Sequence, residues 1–352
     1  MTQRRRAATG PARLAAGIAI IAAASGVMPQ PAAATDFFAG KTITMSSHTA
    51  PGNSYDLYLR LLSRHYGRHI AGNPNFVVIN QPGGGGLRSF NHAGVVAPQD
   101  GTFLTIVSQA LLIFEATGQR GLQVSLGKFQ WLGSFHQSNN VTVTWHTSKV
   151  RTLADAIKRE VTVGATGSGA GSIIGPVIYN AVLGTKFKMV SGYPGGAEID
   201  LAMQRGEVEG RGNNTWAGYK ATFQAAIKEG KLNVLIQTGL RKERDLPDVP
   251  LFLDLVRGDA EKELIADFMS RAVAIARPFA APPGVPKDRV ALLRRAWDAT
   301  MADPKFLAEA AKLEAEIDPL TGPQVQDIVT RVLATPKSAM NRIQSMLGLP
   351  AN

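Results

Sequence analysis

Short β-rich segments alternate with helical segments along most of the chain, and loops rich in Gly, Ser and Asn join them. After residue 36, the first set of alternations predicts strands at 41–47, 76–79 and 102–107 with helices between them. A second set of alternations follows at 141–238. Strands that alternate with helices favour parallel or mixed sheets whose faces are covered by helices. The pattern therefore predicts an α/β fold.

After an extended segment expected at 273–276, the C-terminal part of the chain is predicted to be helical, at 287–301, 304–313 and 323–333. Two sets of alternations in a chain of 352 residues predict two domains.

The order of the segments also predicts where the chain passes from one lobe to the other. Lobe I is expected to be discontinuous and to consist of residues 35–138 and 273–352. Lobe II is expected to be the continuous segment 139–272. The chain is then expected to cross between the lobes of an α/β protein near 139 and 272.

Residues 1–34 have the pattern of an export signal. Four arginines precede an uncharged run at 14–27, and three alanines at 32–34 provide a cleavage site. A basic segment, a short apolar run and small residues are typical of a secretory signal peptide. The run is shorter than the roughly 20 residues of a membrane span, which disfavours an uncleaved anchor. We expect cleavage after about Ala34 and a periplasmic protein.

The composition excludes several classes of function. The chain has no cysteine, which rules out disulfides, thiol nucleophiles, Cys-ligated metals and a lipid-modified N-terminal Cys. Removal of the four signal arginines lowers the formal net charge from +11 to +7. This modest positive charge favours anionic ligands. Export and the lack of a long basic run exclude nucleic acid as the expected partner.

Three strand-to-helix loops, Pro51–Asp56, Thr166–Ser172 and Tyr193–Glu198, are rich in Gly, Ser and Asn. In open α/β sheets ligands bind beyond the carboxyl ends of the strands, where helix N-termini present free N–H groups. Such loops bind anions without a charged side chain. The alternative is that these residues only form turns and helix caps.

Other kinds of site are not supported. The glycines at 167–171 are followed by a strand without the acidic residue of a dinucleotide site, and no serine stands in a G-x-S-x-G motif. His65 and His69 have metal-ligand spacing but no third ligand, and a partly exposed helix face explains them. We therefore predict no metal, no cofactor and no catalytic residue.

One charged residue interrupts an apolar context in the strand at 208–212. Glycines flank Arg211, and a guanidinium can hold a carboxylate through two hydrogen bonds. Asn213 and Trp216 follow at the carboxyl end of this strand, where a ligand is expected. The alternatives are a salt bridge from Arg211 to Glu198, Glu207 or Glu209, and a place in the core for Trp216.

The motifs in their order resemble those of the periplasmic substrate-binding receptors of tripartite tricarboxylate transporters over essentially the whole mature chain. The residues that carry the resemblance are A-P-G-N-S-Y-D at 50–56, N-Q-P-G-G-G-G at 80–86, A-P-Q-D-G at 97–101, the loop at 164–172, Y-P-G-G-A at 193–197, G-E-V-E at 206–209, L-P-D-V-P at 246–250 and F-A-A-P-P-G-V-P at 279–286. Two departures, Asn53 with Tyr55 in the first loop and Arg211 in the strand, fall around the expected pocket.

The resemblance implies a two-lobed periplasmic-binding-protein fold, similar to type II, with a ligand cleft between the lobes. The first and second loops are then expected to hold a carboxylate, and closure is expected to be a hinge motion at the two crossings. Asp56 is expected to interact with the helix dipole or to accept a hydrogen bond from an amino or hydroxyl group of the ligand. The ligand-binding residues predicted from the loops, the strand and the resemblance are Gly52, Asn53, Ser54, Tyr55, Asp56, Thr166, Gly167, Ser168, Gly169, Ser172, Tyr193, Arg211, Asn213 and Trp216.

The expected function follows from this site. The sequence predicts an exported, monomeric receptor, not an enzyme, that captures a small organic carboxylate and delivers it to the subunits of a membrane transporter. Two alternatives stay open: a periplasmic sensor that signals through a partner protein, and an enzyme that uses the same cleft.

Overall fold

The computed structural model describes residues 37–166, 171–193 and 195–349. The predicted signal segment 1–34 lies outside the described residues. The described part of the chain belongs to one compact unit. None of its helices is both long enough and apolar enough to cross a membrane.

Strands and helices alternate as the sequence pattern predicts. The strands are β1 (Thr42–Ser47), β2 (Asn75–Asn80), β3 (Phe103–Ile106), β4 (Gln130–His136), β5 (Asn140–Trp145), β6 (Val161–Gly164), β7 (Phe187–Val190), β8 (Gly210–Thr215), β9 (Leu232–Thr238), β10 (Ala276–Ala281) and β11 (Leu320–Thr321). The helices are α1 (Ser54–His65), α2 (Leu87–Asn91), α3 (Ala110–Ala116), α4 (Leu153–Lys158), α5 (Gly171–Leu183), α6 (Gly196–Arg205), α7 (Trp216–Thr222), α8 (Gln224–Lys228), α9 (Phe252–Leu255), α10 (Ala260–Ala274), α11 (Lys287–Met301), α12 (Pro304–Lys312), α13 (Gly322–Leu333) and α14 (Lys337–Met346).

The strands form two mixed sheets. The first has the order β11-β4-β10-β3-β1-β2, with β1 parallel to β2 and β3, and with β10 antiparallel to β3 and β4. The second has the order β7-β6-β8-β5-β9, with β6 parallel to β7 and β8, and with β5 antiparallel to β8 and β9. Helical crossovers allow the parallel pairs. Together the sheets and helices confirm the predicted mixed α/β architecture.

Hydrophobic clusters cover both faces of each sheet. One cluster packs α1 and α11 against the first sheet around Trp297 and Phe279, and another lies around Trp216 and Tyr219 on the second sheet. The largest cluster includes Trp131 of the first sheet and Val163 of the second and runs through α10 between them. The two sheets are thus joined by a shared apolar core as well as by the chain crossings.

The structure also corrects one predicted element. Residues 273–274 are the end of α10, and the extended segment begins only with β10 at Ala276. The predicted lobe crossing at 272 therefore falls within a helix. Capping boxes begin α4, at Thr152 with Asp155, and α13, at Thr321 with Gln324.

Candidate functional site

A cleft of about 960 Å³ lies between the two sheets. Its walls are the first turn of α1, the first two turns of α6, the end of β8 with the start of α7, the start of β10, and the segment 313–316 after α12. Among the predicted site residues it brings together Asn53, Ser54, Tyr55 and Arg211.

The first predicted loop is held in place by its own polar side chains. Asn53 caps α1 by accepting a hydrogen bond from the Tyr55 amide at 3.3 Å. Asp56 accepts from the Gly52 amide at 2.9 Å and from Asn80 at 2.8 Å, and it pairs with Arg60 at 2.9 Å. Burial by itself would raise the pKa of Asp56, but the hydrogen bonds from these donors hold that pKa below its usual value. Both carboxylate oxygens of Asp56 thus anchor the loop.

The second predicted loop is described only at its ends, because Gly167, Ser168 and Gly169 lie outside the described residues. Ser172 is buried, and its hydroxyl accepts a hydrogen bond from the Thr166 amide at 3.2 Å. This contact closes the loop at the start of α5.

A β-bulge decides which residues of β8 face the cleft. Val141 of β5 pairs with Asn214, but Val143 pairs with Arg211, so that two residues of β8, at 212 and 213, oppose one residue of β5, at 142. The extra residue inverts the alternation of side chains beyond it. As a result Arg211 and Asn214 both line the cleft, whereas Asn213 lines a separate cavity.

Arg211 forms a buried ion pair, but not with any of the three glutamates considered from the sequence. Its Nη1 donates to both carboxylate oxygens of Asp200 on α6, at 3.0 and 2.9 Å. Burial raises the pKa of Asp200, while Arg211 opposes that shift. The glycines beside Arg211 have another role: a Cβ at Gly212 would meet Ser172 and Pro176 of α5, and one at Gly210 would meet Val143 and Thr144 of β5.

Two other predicted residues lie away from the cleft. Trp216 is 3% exposed and packs in the core of the second sheet, where its Nε1 donates to Asp245 at 2.8 Å. Tyr193 packs against the same core cluster.

Arg277 is a cleft residue that the sequence reasoning missed. It stands at the start of β10 with φ 59°, a left-handed conformation that is unfavourable for a side chain with a Cβ. Its guanidinium lies 4.5 Å from the ring centroid of Tyr58 and 5.6 Å from that of Tyr55. The only sequence signal was its place two residues before the F-A-A-P-P-G-V-P motif.

Arg277 has a neutral partner rather than an acidic one. Its Nη1 contacts Nε2 of His136, which is completely buried. Burial, followed by the charge of Arg277, lowers the pKa of His136 to about 3. No ion pair within the described residues includes Arg277, so its positive charge is not balanced by a carboxylate there.

The histidines with metal-ligand spacing have other partners. His65, at the end of α1, pairs with Glu309 of α12, and His69, in the turn after α1, pairs with Asp303, the N-cap of α12, at 2.8 Å. Within residues 37–166, 171–193 and 195–349 no cluster of His, Asp and Glu could hold a metal ion.

No family model and no curated protein matches the chain. Solved structures match it over nearly their whole length. A TctC solute binding protein from Polaromonas has a TM-score of 0.68 at 17% identity, over 86% of this chain and 99% of its own. The periplasmic binding protein BugD has a TM-score of 0.57 at 17% identity, over 88% and 98%.

MatC from Rhodopseudomonas palustris, with bound malate, has a TM-score of 0.59 at 15% identity, over 88% of this chain and 99% of its own. These neighbours match the family that the sequence motifs resemble. Because their sequence identity to this chain is low, the likeness establishes the fold alone. The chain has the two-lobed fold of periplasmic solute-binding proteins.

Proposed function

We propose that this protein is an exported receptor that captures a small organic carboxylate in its cleft and delivers it to a membrane transporter of the tripartite tricarboxylate type. The ordered motifs, the export pattern of residues 1–34 and the fold support this function. The malate bound to MatC supports a carboxylate as the ligand class. In this proposal the protein acts as a periplasmic monomer and catalyses no reaction.

The observation that carries the proposal is the uncompensated guanidinium of Arg277. Its contacts are two tyrosine rings and a histidine with a lowered pKa, none of which carries a negative charge at neutral pH. A guanidinium that is partly removed from water gains strongly from a carboxylate partner. Residues in unfavourable backbone conformations also cluster at ligand sites, as Arg277 does here.

The N-terminus of α1 is the proposed second contact. Ser54 and Tyr55 line the same cleft as Arg277. The free N–H groups and positive dipole end of a 12-residue helix stabilise an anion. We propose that one ligand carboxylate lies between this helix end and Arg277. The loop Thr166–Ser172, with Gly167, Ser168 and Gly169, stays a predicted contact.

Arg211 is proposed to bind the other end of a dianionic ligand. Its Nη1 is committed to Asp200, whereas Nη2 makes no hydrogen bond to the described part of the protein. Asn214, on the same face of β8, replaces Asn213 as the neighbouring amide. Arg211 thus combines the two roles considered from the sequence, a structural ion pair and a ligand contact.

The proposal is tested by thermal shift of residues 35–352 against a panel of mono-, di- and tricarboxylates. A ligand at 100 times its Kd stabilises the protein by about 2.7 kcal/mol, which raises Tm measurably. We expect Arg277→Gln to weaken carboxylate binding at least tenfold, because among the described residues that line the cleft it is the cation without a carboxylate partner. Arg331→Gln, which breaks an exposed ion pair on α13, is the matched control.

Stabilisation by no organic anion would contradict receptor function, and equal affinities of wild type and Arg277→Gln would contradict the assignment of Arg277. Delivery is tested separately, by uptake of the bound carboxylate in cells with and without the protein. Binding without any effect on uptake would favour a sensor instead.

A further inference from the structure

A second cavity of about 340 Å³ adjoins the cleft, and Gln109, just before α3, lines both. Its walls come mainly from apolar side chains of α3, α5 and α10, including Phe114, Ile174, Met269 and Val273. No charged side chain of the described residues lines it. The cavity therefore suits an uncharged, largely apolar group.

Four amide side chains interrupt this apolar wall, Gln109, Gln119, Asn140 and Asn213, and of these the two asparagines are buried. Asn140 of β5 and Asn213 of β8 are each 7% exposed and come from neighbouring strands. The Oδ1 atoms of both are buried and have no hydrogen-bond partner in the described protein. Buried polar groups are normally satisfied, and two unsatisfied amides at one cavity point to a polar group that binds there.

We propose that this cavity is a subsite for the body of the ligand, whose carboxylate is held in the cleft. This inference rests on the proposed function and names the substrate class: a carboxylate with an apolar body that carries a neutral polar group, such as a hydroxyl or an amide. An apolar cavity of about 150 Å³ holds a benzene molecule, so 340 Å³ accommodates a substituted ring or a chain of similar size.

The two buried asparagines, Asn140 and Asn213, supply the selectivity of the subsite. An amide donates through Nδ2 and accepts through Oδ1, so it matches a hydroxyl or an amide group, which also does both. A second carboxylate is disfavoured there, because its charge would be buried without a cation. The ligand is therefore distinguished from a compact dicarboxylate, whose two charges would both stay in the cleft.

Isothermal titration calorimetry with four probes tests the inference: propanoate, 3-phenylpropanoate, 3-(4-hydroxyphenyl)propanoate and succinate. We expect the phenyl compound to bind at least tenfold more tightly than propanoate because its ring enters the cavity. The hydroxyl group of 3-(4-hydroxyphenyl)propanoate is expected to increase the affinity by a further several-fold. In Asn140→Leu, the advantage of the hydroxylated over the plain phenyl compound should disappear.

A variant that fills the cavity isolates the role of the apolar wall. Ala272 lines the cavity from α10, and Ala272→Met places a longer side chain inside it. We expect this change to remove the higher affinity of 3-phenylpropanoate and to leave the affinity for propanoate unchanged. Ala260→Met, at the exposed start of the same helix, is the matched control and should bind all probes as wild type does.

The outcomes separate the two proposals. If succinate binds but 3-phenylpropanoate binds no more tightly than propanoate, the proposed subsite is wrong. The proposal that the protein is a carboxylate receptor is then still supported. Unchanged affinity of Ala272→Met for the phenyl compound would also overturn the subsite. If none of these probes and no carboxylate of the wider panel binds, the proposed function itself fails.

Discussion

The contact between Arg277 and His136 shows how one residue sets the charge state of another. A guanidinium only donates hydrogen bonds, so Nε2 of His136 must accept and must carry no proton. Burial and the positive charge of Arg277 both favour this neutral form. The neutral histidine leaves the charge of Arg277 uncompensated and thus available to an anionic ligand.

This contact predicts a specific pH dependence of stability. The pKa of His136 is about 3 in the folded protein and 6.5 in the unfolded chain, so below pH 6.5 the unfolded chain binds a proton that the folded protein does not. The free energy of unfolding is then lost as pH falls from 6.5 towards 3, by up to about 1.4 kcal/mol per pH unit. We expect His136→Gln to flatten this part of the curve in urea unfolding between pH 7 and 4.

A measurement at pH 8 supplies the control for that experiment. At pH 8 the histidine is neutral in both the folded and the unfolded protein. The difference in the free energy of unfolding between His136→Gln and wild type then reports only the lost contact with Arg277. The prediction is contradicted if wild type and His136→Gln lose stability in parallel as the pH is lowered.

At the scale of single residues, sequence reasoning found the first loop but not the cation opposite it. Asn53 and Ser54 belong to a recognisable strand-to-helix loop, and the structure places both in the cleft. Arg277 lies in no such loop. Its role depends on the pairing of β10 with β4, which brings it beside His136, and on its unfavourable φ. Neither property can be read from local sequence.

At the scale of elements, the periodic segments were predictable and their pairing was not. The alternating pattern located most strands and the helices α1, α11, α12 and α13, because local periodicity and capping determine them. The bulge in β8 depends on its partner β5 and on α5, which packs against it. For this reason the sequence placed Asn213 rather than Asn214 beside Arg211.

The packing of β8 against α5 predicts that Gly212 cannot be replaced. A Cβ at this position would overlap the carbonyl of Ser172 and the ring of Pro176. We expect Gly212→Ala to lower the free energy of unfolding by about 1–3 kcal/mol, the usual cost of overpacking, in urea unfolding. Gly171→Ala is the control, because among the described residues the added Cβ would meet Asn213 alone, at 3.9 Å. Equal stability of the two variants would contradict this packing.

At the scale of the whole molecule, the cleft lies between two sheets that share one apolar core. Because α10 runs through that core, closure on a ligand is expected to be a small hinge rotation about it rather than a separation of independent lobes. Two ion pairs connect the predicted lobes: Lys220 with Glu316 at 3.1 Å and Arg241 with Asp318 at 2.8 Å. Both pairs can form only when the sheets are close together.

These two ion pairs are predicted to favour the closed form. Each is partly exposed and contributes about 0.5 kcal/mol, so losing both lowers the apparent ligand affinity roughly fivefold if binding requires closure. We expect this decrease in the double variant Lys220→Gln, Arg241→Gln, measured by calorimetry at low salt. The difference should shrink at high salt, which screens exposed charges.

The matched control is the double variant Lys262→Gln, Arg331→Gln, which removes two ion pairs that each lie on one side of the molecule, with Asp259 and Asp327. It has the same change in net charge, so any general effect of charge on an anionic ligand appears in both variants. If the two double variants bind equally, the ion pairs between the predicted lobes do not contribute to closure. A larger loss in the first variant alone would locate the closing contacts at Glu316, in the cleft wall, and at Asp318.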